Sequence, residues 1–305
     1  MARKRASGRV EAVRLLKKDG SVVANKEELK FAVNYLTYFG YIGVDLLKSL
    51  DSAEVAKSVK DFQRTFGLKV DGVVGPKTLR AMEGARCGCP DKIDSKNKGH
   101  LQFIQAQEVA AKKRNQWNKK GLTYFIKDFL PGKVTKEQQT QIIASAFKAW
   151  DDVCGLNISQ AKKAADADIL VSNGRGPQHN FDGRGGTLAW AYLPTGADNQ
   201  LLMKFDLDET WIEHPKDRGI LISNVACHEF GHILGLTHSG KPNALMAPYY
   251  NPFVAVPQDD NDIPRIQKLY GPNSNPAAII QNVRKVGKNL TVELKPGQKL
   301  TVLAM

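Results

Sequence analysis

The chain has 305 residues and a formal net charge of +13, with 44 Lys and Arg against 31 Asp and Glu. That length favours two modest domains over one. A content of 42% hydrophobic and 25% charged residues excludes a disordered, collagen-like or disulfide-dense chain. No apolar run approaches the roughly 18 residues of a membrane-spanning helix. The charge is unevenly spread: residues 1–114 hold 23 basic and 13 acidic side chains, residues 115–271 hold 16 and 17, and residues 272–305 hold 5 and 1. A polyanionic partner, such as nucleic acid or a heparin-like chain, is therefore a question for the first third and the tail alone.

Met1-Ala-Arg-Lys-Arg-Ala-Ser7 is basic with no apolar stretch behind it, so no secretory signal is read and the compartment stays open. The four cysteines, Cys87, Cys89, Cys154 and Cys227, are too few for a disulfide framework and match no four-thiolate zinc spacing. From Glu28 to Met82 the pattern is helical. Leu29, Val33 and Leu36 mark one segment ended by Gly40; Val55, Val59, Phe62 and Phe66 mark a second ended by Gly67; Pro76 opens a third. This stretch resembles the small three-helix peptidoglycan-binding fold, which serves either as a binding module or as a covering domain. Residues 92–114 read as a linker ending in the basic cluster Lys112-Lys113-Arg114.

Beyond it, strands are expected at Leu122–Ile126, Asp168–Val171, Thr187–Ala191 and Leu201–Phe205, with helices over Gln138–Asp151, Leu221–Leu234 and Asp262–Tyr270. A mixed, twisted sheet with three helices gives an α+β domain over residues 115–271. In the tail, Leu290–Leu294 and Lys299–Leu303 around Pro296-Gly297 suggest a hairpin, and Asn289-Leu-Thr291 is a glycosylation sequon.

The chemistry concentrates in His228-Glu-Phe-Gly-His-Ile-Leu-Gly-Leu-Thr-His238. Residues four apart share a helix face, so His228 and His232 can present two imidazoles to one metal ion. Gly235 can end the helix and turn the chain, bringing in His238 as a third nitrogen donor. Three protein ligands and one open position define a catalytic zinc site, and Glu229 beside it is the general base. Met246, in Ala244-Leu-Met-Ala-Pro248, supplies the methionine turn that marks metzincins, as an apolar floor and not a ligand.

With Ser239 after the third histidine, the Met246 turn, Pro248-x-Tyr250 and Arg86-Cys87-Gly-Cys-Pro-Asp91, the sequence resembles the matrix metalloproteinases from about residue 28 to 271. The resemblance implies a metzincin catalytic domain (115–271) behind a three-helix propeptide (28–91), a basic segment (1–27), an activation linker (92–114) and a short tail (272–305) with no haemopexin-like propeller. It implies a latent zinc endopeptidase in which Cys87 takes the fourth zinc position, braced by an Arg86–Asp91 pair. Cleavage between Arg114 and Asn115 by an activating protease would release it. Ala85 stands where the family has proline, and Cys89 is unusual; it could compete for zinc or oxidise with Cys87. Cys154 and Cys227 read as buried thiols.

By the same resemblance Asp182, Asp206 and Glu209, with the carbonyls of Gly183, Gly185 and Thr187, bind calcium. The family's structural-zinc positions fall on Arg175, Pro177, Trp190 and Lys204, so that zinc is expected to be absent, leaving one. Leu202 stands at a carboxylate position of a further calcium. Leu188 and Ala189, on an edge strand, would pair with an extended substrate, and Asn224, Pro248 and Tyr250 would line the pocket for the side chain after the scissile bond. Extracellular matrix proteins are the implied substrates of a secreted monomer, with no nucleic acid partner. Two other readings stand beside this one: a cell-wall hydrolase acting on peptidoglycan peptides through a wall-binding module, and a non-enzymatic polyanion binder.

Overall fold

In the computed structural model the described residues are 26–43, 52–92, 115–196, 200–273, 280–286 and 289–294. Three short helices come first: α1 (Lys26–Tyr38), α2 (Ser52–Thr65) and α3 (Pro76–Met82). Glu27 and Glu28 lie in the first turn of α1, where negative charge suits the helix dipole. Val55, Val59 and Phe62 recur on one face of α2 and are fully buried against Ala32, Leu36 and Val74. Gln63 is buried too. Its carbonyl oxygen accepts from the Asp71 and Gly72 amides at 3.0 and 2.9 Å, which fixes the turn ahead of α3.

The second unit is built on a six-stranded sheet in the order β1-β5-β6-β4-β2-β3. Its strands are β1 (Arg86–Cys87), β2 (Gly121–Ile126), β3 (Asn157–Gln160), β4 (Ile169–Gly174), β5 (Thr187–Ala191) and β6 (Leu201–Asp206). All pairings are parallel except β5 with β6. A minor two-stranded sheet joins β7 (Trp211–Ile212) to β8 (Ile220–Leu221). The helices are α4 (Lys136–Asp151), α5 (Ile222–Ile233) and α6 (Asp262–Tyr270). A reciprocal capping box at Thr135 and Gln138 starts α4. The α4 and α5 helices pack through Phe147 stacked on Phe230 and through the Trp150 indole N–H, which donates to Cys227 O at 2.8 Å. The start of this unit is pinned to the end of α5, because the Trp117 indole donates to Ile233 O at 2.8 Å. The α+β class is as expected, with α1 beginning two residues before Glu28.

The tail contains an upstream pairing beside the expected hairpin. The expected Leu290–Leu294 strand is present as β10 (Asn289–Leu294), and among the described residues it pairs antiparallel with β9 (Ile280–Val286), upstream in the chain. Lys299–Leu303 and Pro296-Gly297 lie outside the described residues, as do residues 1–25 and the Lys112-Lys113-Arg114 junction. Among the described residues no helix is long and apolar enough to cross a membrane.

Candidate metal centre

Every residue of α5 from Asn224 to Ile233 is buried, so its two histidines face protein, not water. The ring nitrogens can be assigned from their partners. His228 Nδ1 lies 2.7 Å from Leu245 O, and His232 Nδ1 lies 2.7 Å from Leu236 O. A carbonyl only accepts, so both Nδ1 atoms carry hydrogen and both Nε2 atoms present lone pairs. Those two Nε2 atoms sit 3.2 Å apart. His238 follows the same rule: its Nδ1 donates to Asp91 Oδ1 at 2.7 Å, and its buried Nε2 has no partner. Three lone pairs thus converge in a dry site, which is unfavourable unless a cation is shared among them. Two nitrogens ~2.1 Å from one tetrahedral ion lie ~3.4 Å apart, so the spacing fits zinc. Burial, then the charge of His238, holds the His228 imidazole down at about 3 and pushes His232 below the usual histidine range; burial, with the charges of Arg86 and Arg265, lowers His238 against the opposing pull of Asp91.

Cys87 completes the cluster. Its Sγ is 3.4 Å from His232 Nε2, and one donor atom each from Cys87, His228, His232 and His238 fits within 4.8 Å. Glu229 lies alongside, fully buried, with Oε1 unpartnered and Oε2 3.9 Å from the Cys89 sulfur. Burial pushes its carboxyl up to about 8, which makes its ionised form a stronger base than an exposed glutamate. Met246 is fully buried beneath, so close that a Cβ on Gly231 would meet its sulfur at 2.3 Å. The Cys227 thiol points away, to Ala146 O at 3.8 Å.

A buried latch holds Cys87 in place. Arg86 and Asp91 form the anticipated pair, with Nη2 to Oδ1 at 2.6 Å and Nη1 to Oδ2 at 3.2 Å, both side chains only 2% exposed. The guanidinium also lies 3.4 Å from the Phe39 ring centroid, donates to the Tyr35 hydroxyl, and reaches Cys87 O at 2.9 Å. Burial alone would raise the Asp91 carboxyl, but Arg86 and His238 outweigh it and hold it down at about 2.

The segment carrying Cys87 lies in a groove between two backbones. On one side Arg86 and Gly88 N–H donate to Gly186 O and Ala189 O at 3.0 and 2.8 Å; on the other Cys87 N–H donates to Pro248 O and Tyr250 N–H to Ala85 O, both at 3.0 Å. The edge expected at β5 is therefore occupied by β1. Leu188, Asn224, Pro248 and Tyr250 line one cavity with Cys87, His228 and Glu229, whereas Ala189 pairs with Cys87 instead of facing it. Asn224 is tied down: its amide N–H group donates to Asn251 O, Pro252 O and Val254 O at 3.2, 3.1 and 3.1 Å.

The acidic loop residues are neighbours with a looser arrangement. Asp182 accepts from Thr187 N–H at 2.8 Å, Glu209 accepts from Gly185 N–H, and Asp206 keeps one buried oxygen unpartnered. Burial first, then Asp208, Glu209 and Asp182, push the Asp206 carboxyl up to about 6. These acids form no cluster within 4.8 Å like that of Cys87. Trp190 is buried with its indole on His179 O at 2.8 Å, Lys204 Nζ sits 2.9 Å from His179 Nδ1, and Arg175 pairs with Asp208 at 2.8 Å.

Two contributors and one further role escaped the sequence. His179 partners both Trp190 and Lys204. Asp91 serves His238 as well as Arg86. Asp262 is fully buried and accepts from the Leu245, Met246 and Gln258 amides at 2.7, 3.3 and 3.0 Å, fixing the Met246 turn. An acidic residue opening an amphipathic helix is the only signal for Asp262.

Comparison with known proteins agrees with this geometry. Residues 116–271 match the matrixin family, and residues 25–82 match the putative peptidoglycan binding domain. The chain belongs to the matrixin family, whose membership implies zinc and calcium binding. It is 37% identical to matrix metalloproteinase-18 of Xenopus laevis over 83% of this chain and 52% of that protein. It is 35% identical to interstitial collagenase of Sus scrofa over 77% and 47%, and 32% identical to matrix metalloproteinase-15 of Homo sapiens over 84% and 40%. The chain spans about half the length of the first two relatives.

Proposed function

We propose that the chain is a zinc endopeptidase held latent by its own amino-terminal domain, cleaving extracellular matrix proteins as the names of its relatives suggest. The convergence of three buried imidazole lone pairs on one point carries this reading. His228, His232 and His238 hold a single zinc, which when bound supplies Lewis acidity toward a peptide carbonyl and toward water. Glu229 takes a proton at its free Oε1 and returns it to the departing amine. Backbone carbonyls orient His228 and His232, and in the latent chain Asp91 orients His238. Cys87 fills the fourth donor position until the propeptide leaves.

Release of the 85–89 segment frees the edge of β5 at Leu188 and Ala189 for an extended peptide, which pairs by main-chain hydrogen bonds. The following side chain enters between Pro248 and Tyr250 above Asn224, whose amide fixes the 251–254 backbone. Asp182, Asp206 and Glu209, with carbonyls of Gly183, Gly185 and Thr187, take a calcium ion, since oxygen donors on a turn suit it. The structural-zinc positions carry Arg175, Pro177, Trp190 and Lys204, which offer no ordinary zinc donor, and Trp190 and Lys204 are engaged with His179. Activation cuts between Arg114 and Asn115, and the product is a secreted monomer.

The match of residues 25–82 also fits a wall-binding module, but the buried contacts of Tyr35 and Phe39 with Arg86 favour a covering role. Glu229→Ala, assayed on a quenched peptide after mild proteolysis with and without chelator, is expected to keep one zinc per chain while cleavage falls by at least ~10²-fold. Substantial remaining cleavage with zinc bound removes Glu229 from its role.

A further inference from the structure

Cys87 and Cys89 are both free thiols separated by one glycine. One donor atom from each, with Glu229 and His232, fits within 4.8 Å. They are already joined by contacts: the Cys89 N–H donates to Cys87 Sγ at 3.3 Å. The Cys89 sulfur continues the strand pairing that a backbone would make, accepting from Ala191 N–H at 3.4 Å and donating to Ala191 O at 3.2 Å. Gly88 between them is packed so closely that a Cβ would meet Thr187 Cγ2 at 2.5 Å, so only glycine fits between the two cysteines. Cys154 and Cys227 belong instead to the main core. Cys87 is buried, and a small reagent would have to reach it through the cavity that it lines with Pro248 and Tyr249.

We propose that Cys87 and Cys89 are a redox pair that a hydroperoxide closes to an intrachain disulfide, lifting the Cys87 sulfur from the three-histidine centre without cutting the chain. The Cys87 sulfur attacks one peroxide oxygen; the O–O bond breaks, the alcohol or water leaves with the thiol proton, and Cys87 becomes a sulfenic acid. The Cys89 sulfur then attacks the Cys87 sulfur, an S–S bond forms, the S–O bond breaks, and water leaves with the second proton. Two thiols lose two electrons and one peroxide gains them. A disulfide sulfur is not a thiolate and no longer competes for the metal. A dithiol reverses the step.

This regulation rests on the reading that Cys87 blocks the site, so the test separates the two. The full-length zinc-loaded chain is treated with hydrogen peroxide and followed by intact mass, by peptide mapping across residues 86–92, and by cleavage of a quenched peptide. The expected result is loss of two hydrogens, both sulfurs resistant to alkylation, cleavage at unchanged chain length, and reversal by dithiothreitol. In Cys89→Ser the same treatment is expected to give oxygen adducts on Cys87 that dithiothreitol does not fully reverse. Oxygen adducts on wild-type Cys87 beside an alkylatable Cys89, a cross-linked dimer, or two untouched thiols each overturn the pair. Untreated Cys87→Ser reports on blocking alone: if it remains latent, the blocking reading fails while the mass result stands. If it is active but the disulfide form is not, the release step is wrong.

Discussion

Arg86 shows how far one side chain can couple the two units. It is fully charged, 2% exposed, and satisfied by Asp91, Tyr35, the Cys87 carbonyl and the face of Phe39. Removing one partner of such a pair leaves an uncompensated buried charge, which costs about 3–5 kcal/mol. The sequence suggests the Arg86–Asp91 pair from its place beside Cys87. It does not reveal the aromatic floor, which comes from Tyr35 in α1 and Phe39 just after it. Asp206 poses the opposite problem, since its neighbours are acids and its free oxygen is buried. Without a counter-ion its charge is a burden, which a calcium ion in the proposed site would relieve. Asp206→Asn is therefore expected to raise the melting temperature in zinc-containing, calcium-free buffer at neutral pH and to lower it in excess calcium. A change of the same sign in both buffers sinks the calcium assignment.

Among the elements, legibility follows how much each one owes to its side chains. The α5 helix was plain because its apolar run and its histidine spacing share one period, and β5 was read with the same ends as observed. The β3 strand was missed because Asn157-Ile-Ser-Gln160 is nearly all exposed and holds its place by main-chain pairing with β2. The β9 strand, which pairs with β10, is not legible for a related reason: Ile280-Gln-Asn-Val-Arg-Lys-Val286 shows no strict alternation. Two-residue β1 has no pattern to read at all, since it exists only because β5 and the Pro248–Tyr250 backbone offer hydrogen bonds on both sides. Gly235 is where element and site meet. It sits at φ 102°, and a Cβ there would lie 1.9 Å from the Asn115 carbonyl oxygen. Gly235→Ala is expected to destabilise the chain by at least ~2 kcal/mol and, by displacing His238, to lower zinc retention on dialysis. A wild-type denaturation midpoint with full zinc content would show that the turn tolerates a side chain.

At the scale of the molecule, the two large cores meet through a small cluster of Cys87, Cys89, Phe181 and Trp190, with Tyr38 packed against it from α1. This arrangement turns the charge distribution into a statement about activation. Residues 1–114 carry +10 of the net +13, so a cut after Arg114 leaves residues 115–305 with 21 basic and 18 acidic side chains. Non-specific attraction to polyanions scales with such a field and is screened by salt. The latent chain is accordingly expected to bind a heparin column and elute at clearly higher salt than its activated product, with the released propeptide retained. Parallel columns run before and after limited proteolysis, with the new amino terminus found by mass spectrometry, make the comparison. Elution of both forms at the same salt would locate the binding charge in residues 272–305 instead, and would tie the basic excess to the mature protein and not to its latency.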